Sequence, residues 1–264
     1  MAVATCGLVI APGTPAIAVP GVCPPICDSI PDSAWIDPAA VPLYPVYHWP
    51  ALAGLAVRSP QPRFTFEEVC ASPPLIGDAR DYAVAWQAAV PLYPVYHWPA
   101  LAGLAVRSPQ PRFTFEEVCA SPPLIGDARD YAVAWQAAVP NPPGQWQLRA
   151  QILHWRGDTA HFGPVATETL DLARSRLRDC QLTAPRASPS ITTNDPLRLA
   201  AVISIPGQRV VHQYLLAHPS SSTVVELALW STLTPLVPWP ATADAQVFDA
   251  MAAPLCDAYL GSCR

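Results

Sequence analysis

The chain has 264 residues, a formal net charge of −5 and no lysine, since all 15 basic residues are arginine. The missing lysine excludes P-loop proteins, pyridoxal enzymes and protein kinases, because each of these classes requires one. The acidic balance, without any basic run, argues against nucleic acid as a partner. A hydrophobic fraction of 51% is enough for a sizeable core and does not fit a disordered chain.

The first 22 residues resemble a signal peptide. They are apolar and small, and Ala16-Ile17-Ala18 offers a cleavage site, although positive charge is missing and Pro12 and Pro15 interrupt the stretch. We therefore expect a signal-like leader at 1–22, a proline-rich loop at 23–38 and a secreted or envelope location. No run reaches the roughly 18 apolar residues of a membrane span, so a transmembrane segment is not expected.

A block of 49 residues occurs twice in succession. Residues 39–87 are repeated without change at 88–136, and a third copy stops after Ala137-Ala138-Val139-Pro140. Identity without drift indicates a recent duplication or a sequence-assembly error, because solenoid repeats diverge and need about three units to form a core. We expect one domain at 88–264 that includes the second copy, with 39–87 as an insertion. Proximity to the strand at 146–154 favours the second copy only modestly.

Each block opens with an aromatic cluster, Leu43–Trp49 in the first copy and Leu92–Trp98 in the second. Such rings either close the edge of a core or form a stacking platform for a sugar or peptide. On the second interpretation, the candidate ligand-binding residues are Tyr96, His97, Trp98 and Trp155.

The next pattern in the block is an adjacent carboxylate pair, Glu67-Glu68 and again Glu116-Glu117. On a helix the two side chains diverge by about 100°, so they cannot act as a close acid/base pair. We interpret them as solvated residues of a first helical turn.

The rest of the chain predicts alternating strands and helices. Period-two patterns at 130–136 and 146–153 flank an emphatic turn at 140–144 and predict a hairpin. A helix is expected from Gly163-Pro164 to Cys180, followed by a loop at 183–196. Three further strands form a meander, and a last helix runs from Asp244 to Tyr259 with a kink at Pro254. The meander strands are expected at 199–205, 209–217 and 223–230.

These elements predict an α+β fold. We expect an antiparallel sheet of about five strands with two helices packed on one face, plus the extra copy of the 49-residue segment.

The eight cysteines favour disulfide bonding in an oxidising compartment. Cys70 and Cys119 are the same residue of the block, so duplication leaves one thiol over, and Cys70 is the candidate. Cys256 and Cys263 are further candidates for disulfide bonding. The spacings do not fit zinc sites, and no metal or cofactor is expected.

The order of elements resembles the extracellular sensor domain of mycobacterial serine/threonine kinases and related actinobacterial secreted proteins and lipoproteins. The features that carry the resemblance, over 88–264, are an early cysteine, a long helix ending in Leu177-Arg178-Asp179-Cys180, a meander and a last helix. In that family the domain is non-catalytic, with a cleft for an unidentified ligand. The resemblance implies a disulfide from Cys119 to Cys180, whereas this chain has no kinase domain to transmit a signal.

Two functional hypotheses follow. The first is a secreted or envelope-associated, non-catalytic, sensor-like domain that binds a small molecule, glycan or peptide of the envelope. The second is an envelope hydrolase, which requires His154, His161 or His212 near a serine or cysteine and a carboxylate. The sequence offers no known hydrolase motif, and no catalytic residue is assigned. A plainer third possibility is a damaged duplicate without a stable single fold.

Overall fold

The fold is α+β and is built on an antiparallel sheet. The computed structural model describes residues 30–58, 86–87, 106–107, 111–124, 126–259 and 261–263. Within these ranges the main sheet has seven strands in the order β1-β4-β5-β9-β8-β7-β6. Its strands are β1 (Val57–Arg58), β4 (Val133–Val139), β5 (Gln147–His154), β6 (Ser188–Asn194), β7 (Arg198–Ile205), β8 (Arg209–His218) and β9 (Thr223–Ser231). A separate antiparallel pair joins β2 (Trp86–Gln87) to β3 (Val106–Arg107).

The first face of the sheet is covered by α5 (Asp244–Ala258) and by residues 30–56, which include α1 (Tyr44–Tyr47). Phe248 of α5 packs on Tyr214 of β8 with 5.7 Å between ring centroids, in one cluster with Trp35 and Trp49 from the N-terminal segment. The expected loop at 23–38 therefore contributes core residues where it is described, since Ala34, Trp35 and Ile36 are buried.

The second face carries α2 (Thr114–Val118), α3 (Thr159–Arg178) and α4 (Cys180–Thr183). Leu170 and Leu177 of α3 pack on Leu215 of β8 and Leu153 of β5. Neighbouring residues of one strand thus belong to opposite faces, as expected for side chains that alternate across a sheet. The prediction of two helices on one face is wrong, because α3 and α5 cover opposite faces.

Several predicted elements are confirmed and others are corrected. The hairpin of β4 and β5 and the meander of β7, β8 and β9 are confirmed by their antiparallel pairing. The sheet has two more strands than expected, because β1 comes from the first copy and β6 lies in the expected loop at 183–196. Pro189 within β6 is compatible with its position at the edge of the sheet.

The long helix begins earlier than predicted. The Asp158 side chain caps α3 by accepting a hydrogen bond from Ala160 N at 2.9 Å, so Pro164 lies inside the helix and does not start it. Gly163 allows the helix to approach the turn after β8, since a Cβ there would lie 2.7 Å from the carbonyl oxygen of Pro219.

The two copies of the block share one place in the fold. Residues 39–58 of the first copy pack on the first face and supply β1, which pairs with Trp135 and Gln136 of the second copy. Residues 113–139 supply α2 and β4. On the first face the described occupant is thus the first copy, with Trp49 in the core, whereas the second copy supplies α2 and β4. The β2–β3 pair has the same register as the β1–β4 pair, but it joins the second half of the first copy to the first half of the second copy.

Two disulfides lie within the described residues. Cys119, directly after α2, bonds to Cys180 at the start of α4, and Cys256 of α5 bonds to Cys263. The first bond confirms the pairing that the resemblance implied.

Candidate functional site

The structure describes one of the four predicted ligand-binding residues, Trp155. Tyr96, His97 and Trp98 lie outside the described residues. Trp155 is 1% exposed, and its Nε1 donates a hydrogen bond to Ala128 O at 2.9 Å. The Trp155 ring is part of the core on the second face, and a ligand-binding role for it stays a prediction.

The aromatic cluster of the first copy has a packing role. Trp49 is 3% exposed, donates from Nε1 to Pro42 O at 2.8 Å and stacks on Tyr47. The Tyr47 hydroxyl accepts a hydrogen bond from Trp146 N at 3.2 Å. These rings close the edge of the core, which is the structural interpretation of the pattern.

The polar groups with the most unusual environment lie beneath α2, and we call Glu226, Gln213 and Gln151 the polar cluster. Glu226 Oε1 accepts a hydrogen bond from Thr114 N at 2.5 Å, and Gln213 Oε1 accepts one from Phe115 N at 3.1 Å. Gln213 Nε2 also donates to Glu226 Oε1 at 3.1 Å. The first amides of a helix lack partners within the helix, so the sheet supplies the cap of α2 through these side chains.

The polar cluster also contains two buried atoms that have no hydrogen-bond partner within the described part of the chain. They are Glu226 Oε2 and Gln151 Nε2. Glu226 lies directly opposite Gln151 in the pairing of β9 with β5, so the two side chains are neighbours on the second face. Burial raises the pKa of the Glu226 carboxyl to about 7, against the opposing hydrogen bonds and the charge of Arg149.

An ion network stands beside the polar cluster and fixes α2 from its other side. Arg129 contacts Glu116 at 2.5 Å and Asp127 at 2.7 Å, and all three side chains are buried. Arg176 of α3 also binds Glu116. Burial alone would raise the pKa of Glu116, but the hydrogen bonds and positive charges of the two arginines outweigh it and hold that pKa below its usual value.

The interpretation of the adjacent carboxylates as solvated is thus wrong for Glu116, which is 0% exposed. It is right for Glu117, which is exposed and pairs with Arg149 at 2.8 Å. The two side chains diverge as the helical geometry requires.

The three histidines that are candidates under the hydrolase hypothesis each contact an aromatic ring. His154 is buried and stacks on Tyr259, and His161 contacts Phe162 edge-on. His212 stacks on Trp239 at 3.6 Å between ring centroids, and burial lowers its pKa to about 4.

A fourth histidine contacts a serine. His218 Nδ1 lies 2.8 Å from Ser221 Oγ in the turn between β8 and β9. Ser221 is only 2% exposed, and its hydroxyl also lies 3.2 Å from the carbonyl oxygen of His218. The pair therefore closes the turn.

Sequence reasoning missed the polar cluster, although one signal was present. Glu226 interrupts the apolar run of β9, Val224-Val225-Glu226-Leu227, and strands in the middle of a sheet seldom bury a charge. Its contacts with Thr114 and Gln213 span 112 and 13 positions of sequence, so no local pattern reveals them.

Comparison of the chain with protein-family models, curated proteins and solved structures finds no match. Among the described residues, no helix combines the length and apolar character needed to cross a bilayer.

Proposed function

We propose that this chain is an extracytoplasmic, non-catalytic, sensor-like domain that binds a small ligand between Glu226 and Gln151. Two disulfides support an oxidising compartment, because such bonds are rare in the cytosol. The bond from Cys119 to Cys180 also agrees with the resemblance to the extracellular sensor domains.

The observation that carries the proposal is the pair of buried, unpartnered atoms, Glu226 Oε2 and Gln151 Nε2. Native folds leave few such atoms unpaired, and a pair on neighbouring strands forms a place for a polar group. A hydroxyl matches the chemistry of these two atoms, because it accepts a hydrogen bond from the amide and donates one to the carboxylate. Among the envelope partners considered, this chemistry favours a sugar over an apolar molecule.

The same carboxylate links the ligand position to α2. Glu226 Oε1 holds the first amide of α2, while Oε2 faces the proposed ligand. A ligand at Oε2 therefore changes the charge distribution on the group that caps the helix. This coupling links the ligand position to a helix of five residues.

The test uses nuclear magnetic resonance of the full chain with glucose, cellobiose and N-acetylglucosamine at millimolar concentration. We expect saturable shifts of the Gln151 side-chain amide and of the Thr114 backbone amide with at least one sugar, and no shift of the Thr114 amide in Gln151→Leu. Gln208→Leu, in the exposed turn between β7 and β8, is the matched control and should bind normally. If every sugar leaves the Gln151 amide unchanged, the two atoms hold only water and the proposal fails.

The alternative is an envelope hydrolase, and the contact between His218 and Ser221 is the observation that favours it. We expect Ser221→Ala to leave any hydrolysis of p-nitrophenyl acetate unchanged, because the buried hydroxyl serves the turn. A loss of hydrolysis in that variant would favour the alternative.

A further inference from the structure

The segment that supplies α2 and β4 exists twice in the chain. Residues 64–90 and 113–139 are identical, because the partial third copy repeats the residues that follow the first copy. The earlier segment therefore contains its own complete strand sequence, at 84–90, and its own cysteine, Cys70.

The partners of this segment exist only once. Cys119 bonds to Cys180, Glu116 pairs with Arg176, and Thr114 N donates to Glu226. All three partners lie outside the repeat. These three contacts are therefore equally open to residues 64–90, and only one of the two segments can occupy the place.

Chain connectivity sets how strongly either segment, 64–90 or 113–139, is favoured in this place. In the structure the extra residues lie between β1 and α2, where they lengthen a connection from about 5 to about 54 residues. With 64–90 in place they would lie between β4 and β5, where they lengthen a connection from about 7 to about 56 residues. Closure probability falls as about the 3/2 power of length, so the two arrangements differ by about twofold or less.

We propose that the oxidised protein is a mixture of two isomers of the same fold. In one isomer residues 113–139 supply α2 and β4, and Cys119 bonds to Cys180. In the other, residues 64–90 supply them, and Cys70 bonds to Cys180. Residues 39–58 keep their place on the first face in both isomers.

The bond forms by the same chemistry in either isomer. During refolding with oxidised glutathione, the two thiols lose two electrons and two protons, and the glutathione disulfide becomes two glutathione thiols. A mixed disulfide with one cysteine is the intermediate, and attack by the second thiolate releases glutathione.

Arginine-specific peptide mapping of the unaltered chain cannot distinguish the isomers. Cleavage after arginine releases 64–80 and 113–129 as identical peptides. The test therefore compares Cys70→Ser, Cys119→Ser and the double variant, each as the full chain. Each is reduced, unfolded, refolded in a glutathione buffer and digested without reduction, and mass spectrometry measures the peptide cross-linked to Cys180.

We expect both single variants to give the cross-link, in yields within about twofold of each other, with similar melting temperatures, and the double variant to give none. The proposal is overturned if Cys119→Ser lacks the cross-link or fails to fold while Cys70→Ser succeeds. The reverse result overturns it equally. A cross-link found only in the dimer fraction from size-exclusion chromatography also overturns it, because the segments would then exchange between chains.

Discussion

Glu226 is a fully buried carboxyl with a pKa raised to about 7 by burial, so its proton is bound more tightly in the folded chain. A group whose pKa rises on folding adds stability that is complete below its unfolded pKa of 4.5. That stability is lost as the pH rises through about 7. From the difference between a pKa of 4.5 and one of about 7, we expect the free energy of unfolding to fall by about 3 kcal/mol between pH 4.5 and 8.

Glu226→Gln removes this titration, because the amide keeps an oxygen for Thr114 N and carries no charge. We expect the variant to be more stable than the parent chain at pH 8 and to show a flatter pH dependence between pH 5 and 8. Urea unfolding at the two pH values measures both effects. Glu168→Gln, on the exposed side of α3, is the control. Equal slopes in the parent chain and Glu226→Gln would contradict the prediction.

Substitution of Arg176, which lies outside the repeat, tests how much the ion network contributes to stability. Its removal weakens the positive field around Glu116 and Asp127, whose pKa values the two arginines hold low. Groups with lowered pKa values stabilise the fold above their unfolded pKa, and this stability is lost as the pH falls through the folded pKa. We expect Arg176→Ala to cost roughly 1–3 kcal/mol at neutral pH and to move acid unfolding to higher pH.

The measurement is an acid titration followed by circular dichroism. Arg178→Ala is the matched control, because Arg178 belongs to the same turn of α3 but is exposed. Acid midpoints that are the same for both variants would mean that Arg129 alone keeps Glu116 ionised.

At the scale of elements, the two disulfides close loops of different size, with sequence separations of 61 and 7. If a disulfide acts mainly on the unfolded chain, Cys180→Ser costs about 4 kcal/mol and Cys263→Ser about 2 kcal/mol. Cys180 has no second copy, so this loss is not rescued by exchange of the repeated segments. Urea unfolding of both variants gives the comparison. A larger loss for Cys263→Ser would show that native packing, rather than loop length, sets the order.

The first half of the block can be tested through its two identical tryptophans. Trp49 fills the first face in both proposed isomers, so we expect Trp49→Ala to cost about 3 kcal/mol. Trp98→Ala is the matched control and should cost much less. Docking of Trp98 would place 49 more residues between Pro38 and the valine that replaces Val41, and would so break the turn in which Val41 N donates to Pro38 O at 3.1 Å. Equal losses in thermal unfolding of the two variants would contradict this.

The elements show what the sequence can and cannot predict. The hairpin was predictable because its two strands alternate, and the meander because short turns with Gly or Pro separate its three strands. The strand β6 was missed because Ser188–Asn194 is polar and contains Pro189, a composition that is typical of a loop. The same composition is compatible with a partly exposed edge strand. The faces of α3 and α5 were missed because β9 is buried on both sides, and a continuous apolar run does not tell which helix covers which side.

For the whole molecule, the repeat has a simple property: any deletion of 49 consecutive residues within 39–136 gives the same chain. We expect this shorter chain to fold with both disulfides. It should gain about 2 kcal/mol, because the connection from β1 to α2 returns to about 5 residues. Urea unfolding beside the parent chain measures the difference. A clear loss of stability would mean that the extra residues contribute contacts of their own.

The candidate site was beyond sequence reasoning for a related reason. Burial of Glu226 depends on α2, which reaches it from more than 100 positions away, and on Gln151 from the neighbouring strand. The disulfide from Cys119 to Cys180 was predictable only through the resemblance, since eight cysteines allow many pairings.

Because the strand is duplicated, the balance of the two isomers depends on whether the chain folds during synthesis. Residues 84–90 leave the ribosome 49 positions before 133–139, a lead of roughly 2 to 10 s at ordinary rates of synthesis. During that interval β1 has only the nearer partner. A chain that folds during synthesis should therefore contain more of the isomer with Cys70 than a chain refolded from denaturant. The ratio of the two disulfides then reports how the protein was produced.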